Sequence, residues 1–418
     1  MRVLWSVNTV PPVVAKSLEL KSAHAISWVD AMKESVKNKC QLAIVVPGTT
    51  NDLKSEIIDG IKYYVLSSNN NGMWSVILED FKPDIIHVYG TEKTHNVSLI
   101  EKERNNIPIM ISLQGLISEY VRYYLGGIES KEIIRNYTLK DIFFNSGVFS
   151  GRRKFAKQAY YEKKMLKECM YVEGRSDWDR AITKVINPQL KYYYCPRMIR
   201  KDFFDARWDF ATCEKHTIFA HQGDYPIKGI HFLLDALSIV VKKYPDTKLY
   251  IAGKNVYERV GIKRKLSTPG YIKLINNKIR DLGLKNNIIF TGYLDANNLA
   301  RLLAKTHICV TPSAIENAPN AIAEAMVVGT PCIASFVGGN ASMLDYGKCG
   351  RLYTFDEPQM LAYYIEEYFE NDSLCEQFST ASRKIALKRH DPFELTEKLM
   401  GIYGNVIDDF SVRKGENV

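Results

Sequence analysis

The sequence predicts an α/β protein built from two domains, each with a doubly wound parallel sheet. Short apolar and β-branched runs alternate with helical patterns along the chain, and this alternation is typical of parallel sheets covered by helices. The chain has 418 residues, more than one hydrophobic core usually accommodates. A charged and aromatic stretch from Tyr192 to about His216 interrupts the alternation, and we interpret it as the linker.

Five strands are predicted on each side of this linker. The first half has apolar runs at residues 2–7, 42–46, 85–89, 108–113 and 170–173, with helical patterns such as 26–36 between them. The second half restarts with runs at 217–220, 248–252, 287–291, 307–310 and 331–335. Its first helix, predicted over 230–244, carries apolar residues at helical spacing. The polar tail from Ser411 is expected to fray.

Composition and charge narrow the class of partner. The chain has 56 Lys and Arg against 47 Asp and Glu, a net charge of +9, which favours nucleotide diphosphates, a lipid-phosphate acceptor or an anionic membrane surface. We find no nucleic-acid-binding module and expect no nucleic-acid partner. No apolar run approaches the length of a membrane span, and the chain opens as a strand, so we expect neither a signal peptide nor an anchor. The eight scattered cysteines indicate small buried groups in a reduced cytosolic compartment.

The most informative segment is residues 313–331, in which Glu316 and Glu324 lie eight positions apart. Pro319 suits the first turn of a helix, and Gly329 predicts its end before a short strand. A helix N-terminus presents unpaired N–H groups and a positive dipole end, so it suits a diphosphate. The stretch between the carboxylates spans about 12 Å if helical. One glutamate could therefore hold each end of a nucleotide sugar.

Three further elements follow predicted strands. The loop 221–229 carries Lys228 and Gly229 beside a helix start and is a candidate diphosphate clamp, although a solvated lysine on a surface loop is the alternative. The next two strands end in Gly253 and Gly292, and glycine allows a backbone to approach a ligand closely. Open α/β sheets bind ligands outside the carboxyl ends of their strands, where all these elements fall.

Glu-x7-Glu followed by Ala-Met-x-x-Gly-x-Pro resembles the signature of family 4 retaining glycosyltransferases (glycosyl transferases group 1), enzymes of the GT-B fold. The Lys-Gly element and the two glycine-ended strands come in the family's order. The resemblance implies two Rossmann-like domains facing across a cleft, with a last helix at 392–407 that returns to the first domain. We expect an acceptor-binding domain over 1–197, a nucleotide-sugar-binding domain over 198–390 and the returning helix within 391–418.

The resemblance also implies a reaction, the transfer of a hexose from a nucleotide-diphosphate sugar with retention at the anomeric carbon. Glu316 would position the hexose and stabilise oxocarbenium-like charge, Lys228 would stabilise the leaving diphosphate, and Glu324 would bind ribose hydroxyls. No cofactor is expected beside this co-substrate, and no Asp-x-Asp follows a strand, so we expect a metal-independent transfer. The other donor-binding candidates are Asn317, Ala318, Asn320, Gln222, Gly229, Gly253, Lys254, Gly292 and Tyr293.

The sequence departs from the family's pattern at two positions. Many members have an arginine where this chain has Gln222, which leaves one fewer cation unless Arg175 or Arg264 takes that role. Many have a histidine where this chain has Gln114. We expect Asn8, Gln114 and Arg175 on the acceptor or phosphate side, although an ion pair with an aspartate two or four positions later is an equal alternative for Arg175.

Residues 151–165 mix cations with aromatics and follow the aromatic segments 120–124 and 142–149. This region could dock on an anionic membrane where a lipid-linked acceptor resides. The alternative is a surface helix whose aromatics pack inward. We expect the chain to be cytoplasmic, with peripheral contact at the inner face of the plasma membrane as one option.

Other functions fit parts of this pattern. A glycoside hydrolase also uses two carboxylates, about 5–9.5 Å apart, but has no use for phosphate-binding elements. A sugar-nucleotide epimerase would need a further acid/base set, and a catalytically weak nucleotide-sugar-binding protein would fit the glutamines at 114 and 222. Both glutamates and the lysine are present, which favours an active transferase with a glycan or lipid-linked acceptor. Cell-surface polysaccharide synthesis is the setting that the family implies.

Overall fold

A computed structural model describes residues 1–18, 27–48, 52–67, 72–221, 223–253 and 268–416, with backbone alone at 27, 28 and 416. By packing, the chain forms two compact units. The first unit contains residues 1–118, 157–200 and 390–418, and the second contains residues 119–156 and 201–389.

Strands and helices alternate through the N-terminal part of the chain. The strands are β1 (Arg2–Ser6), β2 (Gln41–Pro47), β3 (Lys54–Ile58), β4 (Ile61–Leu66), β5 (Ile85–Tyr89), β6 (Ile109–Ser112), β7 (Tyr171–Gly174) and β8 (Lys191–Tyr194). The helices are α1 (Pro12–Ser17), α2 (Ser27–Val36), α3 (Met73–Phe81), α4 (His95–Glu103), α5 (Ile117–Tyr120), α6 (Ser130–Arg135), α7 (Leu139–Phe143), α8 (Val148–Glu168) and α9 (Asp177–Ile186).

The same alternation continues to the C-terminus. The strands are β9 (Glu214–Ala220), β10 (Lys248–Ala252), β11 (Ile288–Gly292), β12 (Thr306–Thr311), β13 (Cys332–Ser335) and β14 (Arg351–Tyr353). The helices are α10 (Lys201–Asp205), α11 (Ile230–Val240), α12 (Gly270–Asp281), α13 (Ala296–Lys305), α14 (Asn320–Val328), α15 (Asn340–Met343), α16 (Pro358–Glu370), α17 (Asp372–Arg389) and α18 (Pro392–Glu416). Short 3-10 turns lie at Pro226–Lys228, Leu284–Asn287 and Asp345–Gly347.

The sheet of the first unit has the order β3-β4-β2-β1-β5-β6-β7-β8, and its pairs are parallel except β3 with β4. Successive residues of its strands, such as Val3 and Leu4, belong to two separate apolar clusters, so helices cover both faces. The terminal helix α18 packs on one face, where the Tyr403 hydroxyl accepts from the Trp5 indole N–H at 3.0 Å and lies 2.7 Å from Nδ1 of His87. His87 is fully buried, as expected of a packed structural histidine.

The sheet of the second unit is parallel, in the order β11-β10-β9-β12-β13-β14. The chain builds outward from β9 to β11 and then crosses to the other side of β9 to add β12. The order therefore reverses between β9 and β12, and ligands of open α/β sheets bind at such a switch point, outside the carboxyl ends of the strands. In the first unit the corresponding reversal lies between β1 and β5.

Several predicted boundaries differ from those observed. The stretch from Tyr192 does not begin the linker, because Lys191–Tyr194 forms the edge strand β8 on β7. The tail from Ser411 is helical to Glu416, and Asp409 holds it by accepting from the Tyr171 hydroxyl and from Arg413, each at 2.9 Å. The predicted helix over 230–244 ends at Val240. All eight cysteines are free thiols, and seven are buried.

Residues 119–156 pack with the second unit, whereas the sequence placed them in the domain over 1–197. The buried His231 side chain on α11 bonds through Nε2 to the Gly126 carbonyl at 2.8 Å. The Asp141 carboxylate accepts from the Gly270 N–H at 2.9 Å, at the start of α12. These contacts join buried polar groups that are far apart in sequence. The apolar periodicity of residues 119–156 therefore could not show that this segment packs with the second unit.

Candidate active site

The loop after β9 is held against the loop after β12 at the switch point of the second sheet. Gly229 ends the 3-10 turn Pro226–Lys228 with φ +69°, and a Cβ at this position would overlap the Pro312 carbonyl oxygen. Ala314 donates its N–H to the Ile227 carbonyl at 2.7 Å. Glycine is therefore required where the two loops meet, which places Lys228 beside the segment that carries Glu316.

Lys228 and Glu316 form a largely buried ion pair. The Lys228 ammonium lies 2.5 Å from Oε1 of Glu316, which also accepts from the Ser313 hydroxyl at 2.8 Å. Burial lowers the pKa of Lys228 more than any other single effect, but the charge and hydrogen bond of Glu316 together with two nearby tyrosine hydroxyls outweigh burial, so the pKa is raised and the ammonium keeps its proton. Lys228 therefore carries a fixed positive charge, which Glu316 balances, and it stays protonated near neutral pH.

The loop after β13 holds the backbone of Glu316 in place through a hydrogen bond. The Gly339 N–H donates to the Glu316 carbonyl at 3.0 Å, and a Cβ at Gly338, whose φ is +50°, would overlap the same oxygen. Asn340 donates its side-chain amide to the Ser335 carbonyl at 3.0 Å, which fixes this supporting loop. Glu316 is 7% exposed, so its carboxylate sits in a preformed position rather than on a mobile tip.

Two tyrosines near this pair were not predicted as site residues. The Tyr120 hydroxyl accepts from the Asn317 backbone N–H at 3.1 Å, and Tyr120 also contributes to the raised pKa of Lys228. The Tyr225 ring centroid lies 5.8 Å from the Lys228 ammonium. The sequence singled out residues 120–124 for their aromatic content alone, and no spacing rule links Tyr120 to a position 197 residues later.

The helix α14 begins one residue later than predicted. Pro319 has extended backbone angles, φ −70° and ψ 130°, and occupies the N-cap position rather than the first helical turn. Its side chain accepts no hydrogen bond, so the N–H groups of the first two residues of α14 have no side-chain cap from Pro319, whereas the Ile322 N–H donates to the Pro319 carbonyl at 3.2 Å. Asn320 opens the helix, and Glu324 is buried one turn later, with Oε2 at 4.0 Å from Nε2 of His221.

Asn317 and Ala318 are buried in the segment between Glu316 and α14. The two predicted glycines lie at the ends of β10 and β11, where the Gly253 N–H donates to the Gly292 carbonyl at 2.9 Å. Both have positive φ, and Tyr293, which follows, is exposed. Gln222, Lys254 and Arg264 lie outside the described residues.

In the first unit the structure brings Gln114 and Arg175 together. The Arg175 guanidinium donates to the Gln114 carbonyl at 2.5 Å, while the Arg175 backbone N–H donates to Asp179 at 2.9 Å. Through its contact with Gln114, the guanidinium holds the loop after β6.

A second polar pair lies at the switch point of the first sheet. The Asn8 side-chain amide, after β1, donates to the Glu92 carboxylate, after β5. Burial raises the pKa of Glu92 to about 7, and the charge of Glu162 adds to the rise. Glu92 was not predicted as a site residue. Its position in the first loop after β5 was the available signal, because that loop faces the switch point.

Two features are absent from the described part of the chain. It contains no group of three or more His, Cys, Asp or Glu side chains placed to hold a metal ion. None of the helices traced in it has the length and apolar composition needed to cross a membrane.

The chain is similar in sequence to known glycosyltransferases. Residues 201–385 match the family described as Glycosyl transferases group 1. YtcC of Bacillus subtilis (strain 168), a protein named as a glycosyltransferase, is 24% identical over 345 residues, which cover 79% of this chain and 75% of YtcC. The phosphatidyl-myo-inositol mannosyltransferase of Mycobacterium leprae (strain TN) is 28% identical over 193 residues, 46% of this chain and 47% of that protein. This second alignment spans about half of either protein.

Solved structures match almost the entire chain. Sucrose-phosphate synthase from Thermosynechococcus elongatus superposes with a TM-score of 0.72 at 15% identity, over 98% of this chain and 100% of the other. Anabaena HepE in complex with UDP-glucose gives a TM-score of 0.67 at 15% identity, over 97% of this chain and 100% of the other. The prediction of two Rossmann-like domains of the GT-B type is confirmed. The family match and the sequence relatives together indicate a transferase.

Proposed function

We propose that this protein is a retaining, metal-independent family 4 glycosyltransferase that moves a hexose from a nucleotide-diphosphate sugar to a glycan or lipid-linked acceptor. The observation that carries the proposal is the buried pair of Lys228 and Glu316 at the switch point of the second sheet, beside the N-terminus of α14. Two similar proteins support this choice, since one is a phosphatidylinositol mannosyltransferase by name and another was solved with UDP-glucose. Cell-surface polysaccharide synthesis is the proposed setting.

The donor would lie along the carboxyl ends of the central strands. Its diphosphate would face the Lys228 ammonium and the first N–H groups of α14, where positive charge and free donors coincide. Glu324 would bind the ribose hydroxyls from within α14, and Glu316 would hold the hexose. In the free protein Glu316 balances the charge of Lys228, so the ammonium is not buried uncompensated before a diphosphate arrives.

The reaction would proceed on one face of the sugar. The bond from the anomeric carbon to the diphosphate oxygen breaks while the acceptor oxygen forms its bond on the same face. The acceptor proton goes to the departing phosphate oxygen, which replaces a separate general base. Lys228 keeps its proton because its pKa is raised, so it stabilises the charge that develops on the leaving group. Glu316 would stabilise the oxocarbenium-like charge on the ring.

The acceptor would approach the switch point of the first sheet. Asn8 and Glu92 offer an amide and a carboxyl there, both suited to sugar hydroxyls. Gln114 and Arg175 form the neighbouring loop at the end of β6. A lipid-linked acceptor would place the enzyme in peripheral contact with the inner face of the plasma membrane.

The test is transfer by a Glu316→Ala variant of the full chain. Donors are first screened by thermal shift with UDP-, GDP- and ADP-sugars, because a bound ligand raises the melting temperature by mass action. With the best donor and an acceptor, Glu316→Ala should lower the transfer rate by about 10² to 10³, as loss of one charge-stabilising group does in other enzymes.

The matched control is Glu376→Ala, which removes an exposed carboxylate on α17 in the same unit and should leave the rate unchanged. An unchanged rate in Glu316→Ala would contradict the proposed role. Conversion of the donor sugar without any acceptor would instead support an epimerase.

A further inference from the structure

Helix α7 presents an apolar surface to solvent. Leu139, Ile142, Phe143 and Phe144, which we name the α7 surface, are between 54% and 77% exposed. Two adjacent phenylalanines at the upper end of that range are costly in water, because each leaves a full aromatic side chain unburied. Contiguous exposed apolar side chains on a soluble protein usually mark an interaction site.

The outward orientation of the α7 surface follows from how α7 is anchored. Its polar side is buried, with Asp141 accepting from the Gly270 N–H at 2.9 Å and the Thr138 hydroxyl donating to the Thr268 carbonyl at 2.9 Å. Thr138 and Asp141 also form a reciprocal capping box at the start of α7. Leu139, Ile142 and Phe143 are spaced three and four residues apart and so lie on the opposite side of the helix.

The neighbouring aromatics do not share this exposure. Tyr124 packs edge-on against Phe155 with ring centroids 4.8 Å apart, and Tyr137 stacks on Phe149 at 6.1 Å. The sequence treated this region as one candidate membrane-docking stretch. The structure divides it, since these four rings are half-buried in contact with each other, whereas the α7 surface and Tyr160 on α8 are directed to solvent.

Cations lie next to the α7 surface. The Lys154 ammonium on α8 donates to the Asn145 carbonyl at 3.5 Å, one residue beyond Phe144. Arg152 and Arg153 precede it and are exposed. Between residues 131 and 156 the chain has six Lys and Arg against two Asp and Glu, and one of those acids, Asp141, is buried. The exposed charge around the α7 surface is therefore strongly positive.

We propose that the α7 surface docks on an anionic lipid bilayer. Phe143 and Phe144 enter the boundary between head groups and acyl chains, while the cations of α8 contact the lipid phosphates. The apolar side chains match the acyl-chain region of an anionic bilayer, and the cations that border them match its negatively charged head groups. An uncharged protein surface would match the apolar side chains alone, so we infer a membrane as the partner. The docking itself does not depend on the proposed function. Only its consequence does, namely that a membrane lipid presents the acceptor.

The test is flotation of the purified full-length chain with vesicles of phosphatidylcholine and phosphatidylglycerol in equal parts, against vesicles of phosphatidylcholine alone. The wild type should bind the anionic vesicles preferentially, and added salt should weaken the binding. Phe143→Ser/Phe144→Ser should reduce the bound fraction about tenfold or more. Arg152→Ala/Arg153→Ala should reduce it by about fivefold per charge, and only on anionic vesicles.

The control is Phe393→Ser, which removes an equally exposed ring on α18 and should float like the wild type. Thermal shift with the nucleotide sugar shows that each variant is folded and tests the proposed function separately, because no donor-site residue is changed. Wild-type flotation by Phe143→Ser/Phe144→Ser would overturn the inference. So would a change of oligomeric state in this variant with unchanged flotation, since the α7 surface would then bind another copy of the chain.

Discussion

At the scale of single residues, the site depends on charges that are buried in pairs. Lys228 and Glu316 come from loops that follow different strands, and each compensates the other at 2.5 Å. Breaking a buried pair leaves one charge unpaired, which costs more than the pair itself contributes. Substitutions here will therefore change stability together with activity, and a variant that keeps the shape of the side chain is the more informative one.

Tyr120 offers such a substitution. Tyr120→Phe keeps the ring and removes the hydroxyl that accepts from the Asn317 N–H at 3.1 Å. Loss of one neutral hydrogen bond, about 1 kcal/mol, should lower kcat/KM for transfer about fivefold with little change in melting temperature. Tyr123→Phe is the control, because the Tyr123 ring contacts Phe355 and the change keeps that contact. Equal kinetics for the two variants would remove Tyr120 from the site.

Glu92 predicts a pH dependence of stability. Burial raises its pKa to about 7 in the folded protein, above the ordinary value of 4.5. The folded state therefore binds this proton more tightly than the unfolded state. The resulting stability is fully present below pH 4.5 and is lost as the pH rises through 7.

We therefore expect Glu92→Gln to gain melting temperature relative to the wild type at pH 8 but not at pH 4.5, measured by differential scanning calorimetry. Glu79→Gln, at an exposed position on α3, is the control and should follow the wild type at both pH values. A constant offset between Glu92→Gln and the wild type across this range would mean that Glu92 does not titrate as described.

At the scale of elements, the site is built where strand order reverses. The loops after β9 and β12 are adjacent because these strands pair, and Gly229 allows their backbones to meet. This arrangement predicts that the turn carrying Lys228 tolerates no side chain at its last position.

Gly229→Ala should lower the melting temperature and weaken donor binding together, because φ is +69° and a Cβ would overlap the Pro312 carbonyl oxygen. Gly283→Ala is a matched control with φ +70° and no atom within 4 Å of the added carbon. The control should lose only about 1 kcal/mol of stability, which is the cost of a left-handed backbone for a residue with a Cβ, and it should bind the donor normally. Equal losses in the two variants would show that backbone angle alone governs Gly229.

The elements also show what the sequence could and could not predict. Strands such as β1, β5 and β12 are continuous apolar runs with both faces buried, and their positions were predicted. The edge strands β3, β8 and β14 were missed, since edge positions mix polar and exposed residues and lose the pattern. The strand β4, which lies inside the sheet and is largely buried, was missed as well. Lys228, Glu316 and Glu324 were predicted from motif spacing, and the structure places Lys228 beside Glu316. Tyr120 reaches its position by long-range packing, which leaves no periodic trace, whereas Glu92 could have been found from its position in the first loop after β5.

At the scale of the whole molecule, the chain forms two units, and the strand order reverses once within the sheet of each. Each unit places a polar pair at its switch point, Lys228 with Glu316 in the second and Asn8 with Glu92 in the first. Residues 119–156 belong by packing to the second unit although they interrupt the first in sequence. They bring Tyr120 to the proposed donor site and the α7 surface to solvent, so this one segment of the chain serves two proposed roles.

The most direct measurement is a crystal structure of the protein with a non-hydrolysable nucleotide sugar. We expect its diphosphate within hydrogen-bonding distance of the Lys228 ammonium and the first N–H groups of α14, its ribose on Glu324 and its hexose beside Glu316. A ligand that binds away from the carboxyl ends of β9 and β12 would contradict the assignment of the donor site.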